Sequence, residues 1–274
     1  MSQIFDFMPG EGPVLVSVPH AGMRIPEAIA KRMTEHALTL PDTDFFVDKL
    51  YAAAPVLGCG LIVAEQSRYV VDLNRDPSGT PLYPGADNTE LCPLSTFGKA
   101  PVYRPGQEPD ADEIAARVER DWRPYHDAID AELARLHAKF GVAVLWDGHS
   151  IPSQVPRFFD GRLPDLNLGS ASGASADPEL TETARAALDG PGMTLVVNGR
   201  FKGGYITRRY GRPAEGYHAL QLEKAQIAYM DEAPPYLWSA SRAAPMIARV
   251  ERTLRALVAW ARTRARGAGG HSAA

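Results

Sequence analysis

Two histidines stand at predicted turns that directly follow short apolar runs, and that placement could build a metal site. His149 lies in Trp146-Asp147-Gly148-His149-Ser150, after the apolar run 142–146, and His20 lies in Pro19-His20-Ala21-Gly22, after the run 14–18. Runs of this kind read as buried strands, and an open α/β sheet binds its ligands outside the carboxyl ends of its strands. Neutral imidazole is a good ligand for Zn²⁺, and a catalytic zinc centre takes three protein ligands and keeps one position open. Either histidine alone reads equally well as a turn residue bonded to backbone. Two of them in matching positions favour the metal.

Hydrolysis at such a centre needs a carboxylate to take a proton from water. Glu223 ends the predicted strand 217–223 and fits the general base, although taken alone it reads as a salt-bridged glutamate. For a third ligand the acidic group Asp42, Asp44 and Asp48 follows the His20 loop closely. Asp44 is the first choice and Asp48 the reserve, while helix capping explains acidic residues at a helix start just as well. Basic residues gather at predicted polar turns: Arg68, Arg75, Arg157, Arg200, Lys202, Arg208 and Arg209. Guanidinium grips carboxylate bidentately, so several of them suit a substrate with more than one carboxylate. Asn74-Arg75, directly after a predicted strand, is the strongest pair.

The elements that must position these groups follow from periodicity. Strands are predicted at 14–18, 61–64, 69–73, 142–146, 194–197 and 217–223. Helices are predicted from residue 26, from about 41 through 54, from 112 to 136 with a kink at Pro124, over 178–188 and over 241–264. Asp42 or Thr43 could cap the second of these helices. Residues 77–109 are rich in proline and glycine and lack periodicity, which reads as an ordered cover over the site, and 150–176 is a second irregular stretch. Strands alternating with helices indicate one α/β domain over 1–266, with a mixed, largely parallel sheet between helices on both faces, followed by a disordered tail at 267–274.

Composition narrows the function classes. A length of 274 residues with 45% hydrophobic and 23% charged residues is ordinary for one globular domain, and a net charge of −4 argues against nucleic acid or an acidic membrane as partner. No apolar run is long enough to span a bilayer, the N-terminus carries no apolar leader, and the two cysteines form no disulfide framework, so the expected location is the cytoplasm. Cys59 reads as core and Cys92 as a loop thiol. Neither a GxGxxG nor a Walker A sequence is present.

Several strings, taken in order, carry a resemblance. Val18-Pro19-His20-Ala21-Gly22, Asp42-Thr43-Asp44, Tyr69 through Arg75, Asp147 through Ile151, Pro164 through Gly169, Asn198 through Arg208 and Gln221-Leu222-Glu223 are together similar to the N-formylglutamate amidohydrolase (deformylase) family over about residues 12–235. The resemblance implies a metal-dependent amidohydrolase that cleaves N-formyl-L-glutamate to formate and L-glutamate in histidine degradation, on a fold similar to zinc carboxypeptidases. Asp72-Leu73-Asn74-Arg75 also resembles a string of the aspartoacylase and succinylglutamate desuccinylase relatives. By that similarity Asn74 and Arg75 bind carboxylate and Arg68 is a candidate partner of the oxyanion, and one or more of Arg157, Arg200 and Arg208 are expected to hold the glutamate carboxylates with them. Those relatives carry a His-x-x-Glu metal pair, whereas Met23 stands three residues after His20 here. The expected set is therefore Zn²⁺, or Co²⁺ or Mn²⁺, on His20, Asp44 and His149, acting on a small dicarboxylate substrate. Two other readings are a broader zinc amidase or carboxypeptidase-like hydrolase of other N-acyl amino acids, and a metal-free binding protein for acidic amino acids.

Overall fold

Seven strands form one mixed sheet in a computed structural model that describes residues 4–82, 85 and 87–268. In chain order the elements are β1 (Phe5–Met8), β2 (Val14–Val18), the short helices α1 (Glu27–Ala30), α2 (Glu35–Leu38) and α3 (Val47–Leu50), then β3 (Gly60–Ala64) and α4 (Ala111–Arg117). There follow α5 (Arg123–Phe140), β4 (Ala143–Ile151), β5 (Leu166–Gly169), α6 (Pro178–Leu188), β6 (Leu195–Val197), α7 (Tyr205–Tyr210), β7 (Tyr217–Ala225) and α8 (Ala240–Ala268). The strand order is β1-β3-β2-β4-β7-β5-β6, parallel except where β1 meets β3 and β5 meets β7.

Alternation along the central strands builds two cores. Val14, Val16, Val18, Val144 and Trp146 pack against α6 and α8 through Leu180, Leu188, Met246, Val250 and Leu254. Leu15, Ala143, Leu145 and Ala219 face the other way, onto Tyr125, Ile129, Leu133 and Leu136 of α5 and onto Ile206 and Tyr210 of α7. A strand covered on both faces needs apolar residues at successive positions, which is why 14–16 and 142–146 read as unbroken apolar runs. Among the described residues no helix is long and apolar enough to cross a membrane.

Several expectations change. The run 69–73 is not a strand but a series of turns: both edges of β3 are already occupied, and Tyr69 and Val70 are buried instead against Ile29, Met33, Val102 and Tyr103. The helix expected over 41–54 shrinks to α3, because Phe46 takes a left-handed φ of 62° immediately before it. Asp42 therefore caps nothing and instead accepts the Phe97 N–H at 2.9 Å. The long helix of 112–136 is interrupted before Pro124 by a π turn over Val118–Trp122, in which Arg123 N–H reaches back to Val118 O. Short β1 and β5 fall where no strand was expected. Cys92 lies in irregular chain as expected, but its thiol is buried and donates to Val70 O. Residues 267 and 268 of the expected tail continue α8, and the remainder of that tail lies outside the described residues.

The change that matters most for function lies in β4. Asp147-Gly148-His149 is not a turn, because the strand runs on to Ile151, while β7 runs on past Glu223 to Ala225. His149 and Glu223 thereby become register partners on adjacent parallel strands, as do Asp147 and Gln221. Glycine at 148 is required by space, since a Cβ there would lie 2.4 Å from a ring carbon of Tyr51. The Tyr51 hydroxyl in turn accepts from Trp146 Nε1 at 2.8 Å and from Lys224 Nζ at 3.2 Å.

Candidate active site

His20, Asp44 and His149 converge at the carboxyl edge of the sheet, with one ligand atom from each lying within 4.8 Å of the others, and all three are buried. His20 follows β2 and its carbonyl accepts the Asp44 N–H at 3.0 Å, so the break in the expected helix is what carries the aspartate back to the first histidine. Asp44 Oδ2 lies 3.3 Å from His149 Nδ1 and 3.8 Å from His20 Nδ1, and it also accepts the Ser150 N–H at 2.9 Å. Asp48, the reserve ligand, is exposed on α3 and stands outside this group.

Each imidazole is oriented from behind by a carboxylate that was assigned no role in the sequence. His20 Nε2 lies 2.7 Å from Asp72 Oδ1, and His149 Nε2 lies 2.9 Å from Asp147 Oδ2. An ionised carboxylate only accepts, so a hydrogen on each Nε2 satisfies these two contacts, and both Nδ1 atoms turn toward Asp44. A carboxylate behind a ligating histidine fixes its tautomer and raises its basicity. Arg68 braces this arrangement: Nη2 donates to Asp72 Oδ2 at 2.8 Å, Nη1 stands 3.6 Å from Asp44 Oδ1, and the guanidinium lies over the Phe97 ring.

The electrostatics fit a divalent cation. Around the imidazoles, four buried carboxylates (Asp44, Asp72, Asp147, Glu223) face two buried cations (Arg68, Lys224). The carboxylates outnumber the cations there, an excess of negative charge that a bound cation would relieve. Asp44 Oδ1 is buried without a hydrogen-bond donor, as is Glu223 Oε1. Burial together with the Arg68 charge holds His20 below the ordinary histidine value, the state a ligand needs. Burial also disfavours charge on His149, but Asp147 and Asp44 outweigh it and raise that imidazole to about 10, so in the metal-free protein a proton stands in for the cation. For Asp44, the His149 hydrogen bond and the two imidazoles overcome burial and hold the carboxyl below its usual range.

Glu223 differs. Burial, reinforced by the Asp44 charge against the pull of His149 and Lys224, pushes its carboxyl up to about 7. A carboxylate poised near neutrality beside a metal site is suited to moving protons. It lines an open cavity of about 640 Å³, open solvent included, together with His20, Asp44, Arg68, Asn74, Arg75, His149, Arg200 and Gln221. Phe97, Ile151, Phe158 and Phe201 supply apolar wall.

The sequence profile described as N-formylglutamate amidohydrolase matches residues 12–230. The chain belongs to the N-formylglutamate amidohydrolase family. An N-formylglutamate deformylase of Pseudomonas aeruginosa is 47% identical, covering 96% of this chain and 99% of its own. One of Pseudomonas putida is 45% identical, covering 95% and 97%. The crystal structure of N-formylglutamate amidohydrolase from Ralstonia eutropha JMP134 superposes with a TM-score of 0.77 at 27% identity, covering 96% of this chain and 99% of the other.

Within this family member the expected carboxylate ligands separate into two groups. Asn74, Arg75 and Arg200 line the cavity, whereas Arg157 and Arg208 are not among its lining residues. Arg157 is drawn aside by Asp87 at 2.8 Å and by Thr96 O at 2.8 Å, and Arg208 donates to Gly203 O and Leu82 O. The Arg75 guanidinium is aimed by Thr89, whose carbonyl and hydroxyl accept from Nε and Nη2. The turn that bears Asn74 and Arg75 is held at its back by His126 Nε2, 2.9 Å from Leu73 O, and by Trp122 Nε1, which donates to Arg75 O at 3.1 Å. These two residues sit on the apolar stripe of the long helical segment, so only their polar ring atoms marked them as more than packing.

Proposed function

We propose that this chain hydrolyses N-formyl-L-glutamate to formate and L-glutamate with a divalent cation held by His20, Asp44 and His149. The observation that carries the reading is the meeting of those three ligand atoms with buried Glu223 in a cavity that also presents Arg75 and Arg200. A bound Zn²⁺, Co²⁺ or Mn²⁺ would supply Lewis acidity and lower the proton affinity of water. Glu223 takes the proton from the water that attacks the formyl carbon. Arg68, on the cavity wall, faces the charge that grows on the formyl oxygen. As the C–N bond breaks, Glu223 returns the proton to the departing amine nitrogen, leaving formate and the free amino acid. Asn74, Arg75 and Arg200 hold the glutamate carboxylates, and Arg157 and Arg208 brace the loops around them. We place this activity in the cytoplasm, within histidine breakdown, and the two free cysteines suit a reducing compartment.

The test is formate release from N-formyl-L-glutamate, N-acetyl-L-glutamate and N-formyl-L-aspartate, before chelation, after chelation and after metal is restored. Turnover confined to the first substrate, lost with chelator and regained with a divalent metal, is the expected result. Comparable turnover of the acetyl compound would favour a broader amidase. Tight L-glutamate binding with no stoichiometric metal and no turnover would turn the protein into a binder of acidic amino acids.

A further inference from the structure

Gln221 lies deep in the same cavity, buried on β7 two residues before Glu223 and on the same face. Its Oε1 accepts the Gly204 N–H at 2.7 Å. That contact depends on two glycines. A Cβ at Gly169, the β5 partner of Gln221, would meet the backbone of Lys202 and Gly203 at 2.7–2.9 Å, and a Cβ at Gly204 would meet the Asn74 amide at 2.3–2.7 Å. The backbone at 204 is thus clasped between two side-chain amides, Gln221 and Asn74, and the second of these accepts the Ile206 N–H through Oδ1 at 2.8 Å.

The consequence is a fixed polarity. With Oε1 committed to Gly204, the Gln221 amide cannot flip without setting its NH₂ against a backbone N–H, so Nε2 is held as a donor. Nε2 bonds to no other described residue and is not among the buried atoms that lack a partner, so it opens on the cavity. Asn74 offers the same polarity beside it. Its Nδ2 stands 3.0 Å from His149 Nε2.

We propose that Gln221 is a specificity-determining residue that donates Nε2–H to the side-chain carboxylate of the substrate. The inference rests on the reading of the site as an N-formyl-L-glutamate hydrolase and deepens it. Two residues along a strand span about 6.6 Å. The α-carboxylate is attached to the same carbon as the scissile nitrogen and cannot reach that far from Glu223, whereas the side-chain carboxylate stands at the end of a two-methylene arm that covers a similar span. An acceptor-only anion is also the ligand that a fixed donor selects.

Gln221→Glu tests this, because it keeps an oxygen for the Gly204 N–H while replacing the donor by an anionic acceptor, and Gln221→Met removes both functions without added charge. Expected is a KM for N-formyl-L-glutamate raised about 10- to 100-fold in Gln221→Glu, and less in Gln221→Met, with kcat within a few-fold of wild type and metal content unchanged. For N-formyl-L-norvaline, which has no side-chain carboxylate, KM should change less than about threefold. Equal losses on both substrates, or a Gln221→Glu KM within twofold of wild type, would overturn the proposal. L-glutamate binding by calorimetry separates the two levels. A wild-type protein that fails to release formate defeats the hydrolase reading, and weaker L-glutamate binding by Gln221→Glu would then still support the recognition role, whereas unchanged binding would end it.

Discussion

The side of the cavity that holds His20, Asp44 and His149 and its arginine side are built from different materials. His149 and Glu223 are neighbours inside paired strands, and His20 leaves β2 directly, so their spacing is set by the hydrogen-bonded ladder. Arg75 and Arg200 arrive on irregular chain, held by Thr89 and by Phe158 O. On the reading proposed above, proton and metal chemistry, which tolerates little displacement, would rest mostly on the sheet, with Asp44 alone of the three ligands brought in by a loop and tied to His20 O, whereas recognition of a flexible dicarboxylate would be left to loops that can vary. Mutations should therefore separate by side, with ligand loss and turnover on one and KM on the other.

The largest effect is expected from His149→Ala, which should release metal and lower turnover on the order of a thousand-fold or more, read by elemental analysis and formate release. Metal retained at full stoichiometry would dissolve the distinction between the two sides. Next comes Glu223→Gln, with a loss of about 10²- to 10⁴-fold in kcat and metal retained. The base must be ionised to act, so in wild type kcat/KM should fall as pH drops through about 7, and a bound cation can only move that limb lower by favouring the carboxylate. A profile flat down to pH 4.5, the ordinary glutamate value, would remove Glu223 from the role.

Asp147→Asn should weaken metal binding by about 10- to 100-fold, measured by competition with a chromogenic chelator, while leaving KM for substrate nearly unchanged. Arg75→Ala sharpens the contrast from the other side: KM should rise about 10- to 100-fold with metal content intact, and substrates lacking a second carboxylate should suffer less. If Arg75→Ala lost metal as well, the two sides would be one coupled unit.

The sequence exposed the strand side better than the loop side. Apolar runs ending in His20 and His149 marked both imidazoles, because a doubly covered strand leaves an unmistakable pattern. Asp147 was legible in principle, since a residue two before His149 on a strand shares its face, but reading 147–149 as a turn hid that relation. Asp72 was hidden for the opposite reason, as 69–73 looks like a strand and is buried by packing instead. Arg157 and Arg208 could not be told from Arg200 in the sequence, because what separates them is the nearest acceptor: Asp87 and Thr96 for the first, Gly203 and Leu82 for the second, Phe158 O for Arg200. β5 escaped because Leu166–Gly169 is too short to show a period.

The contact of Gly148 with the Tyr51 ring gives the enzyme a vulnerable underside. The ring wedges against the backbone between Asp147 and His149 from the face opposite the substrate, and its hydroxyl gathers Trp146 and Lys224. Even one added methyl at 148 would have to push the strand upward, tilting an imidazole and its supporting carboxylate together. An inactivating lesion could thus arise at a position that touches neither ion nor substrate, and a search for inhibitors or stabilising changes has a second address on the far side of the sheet.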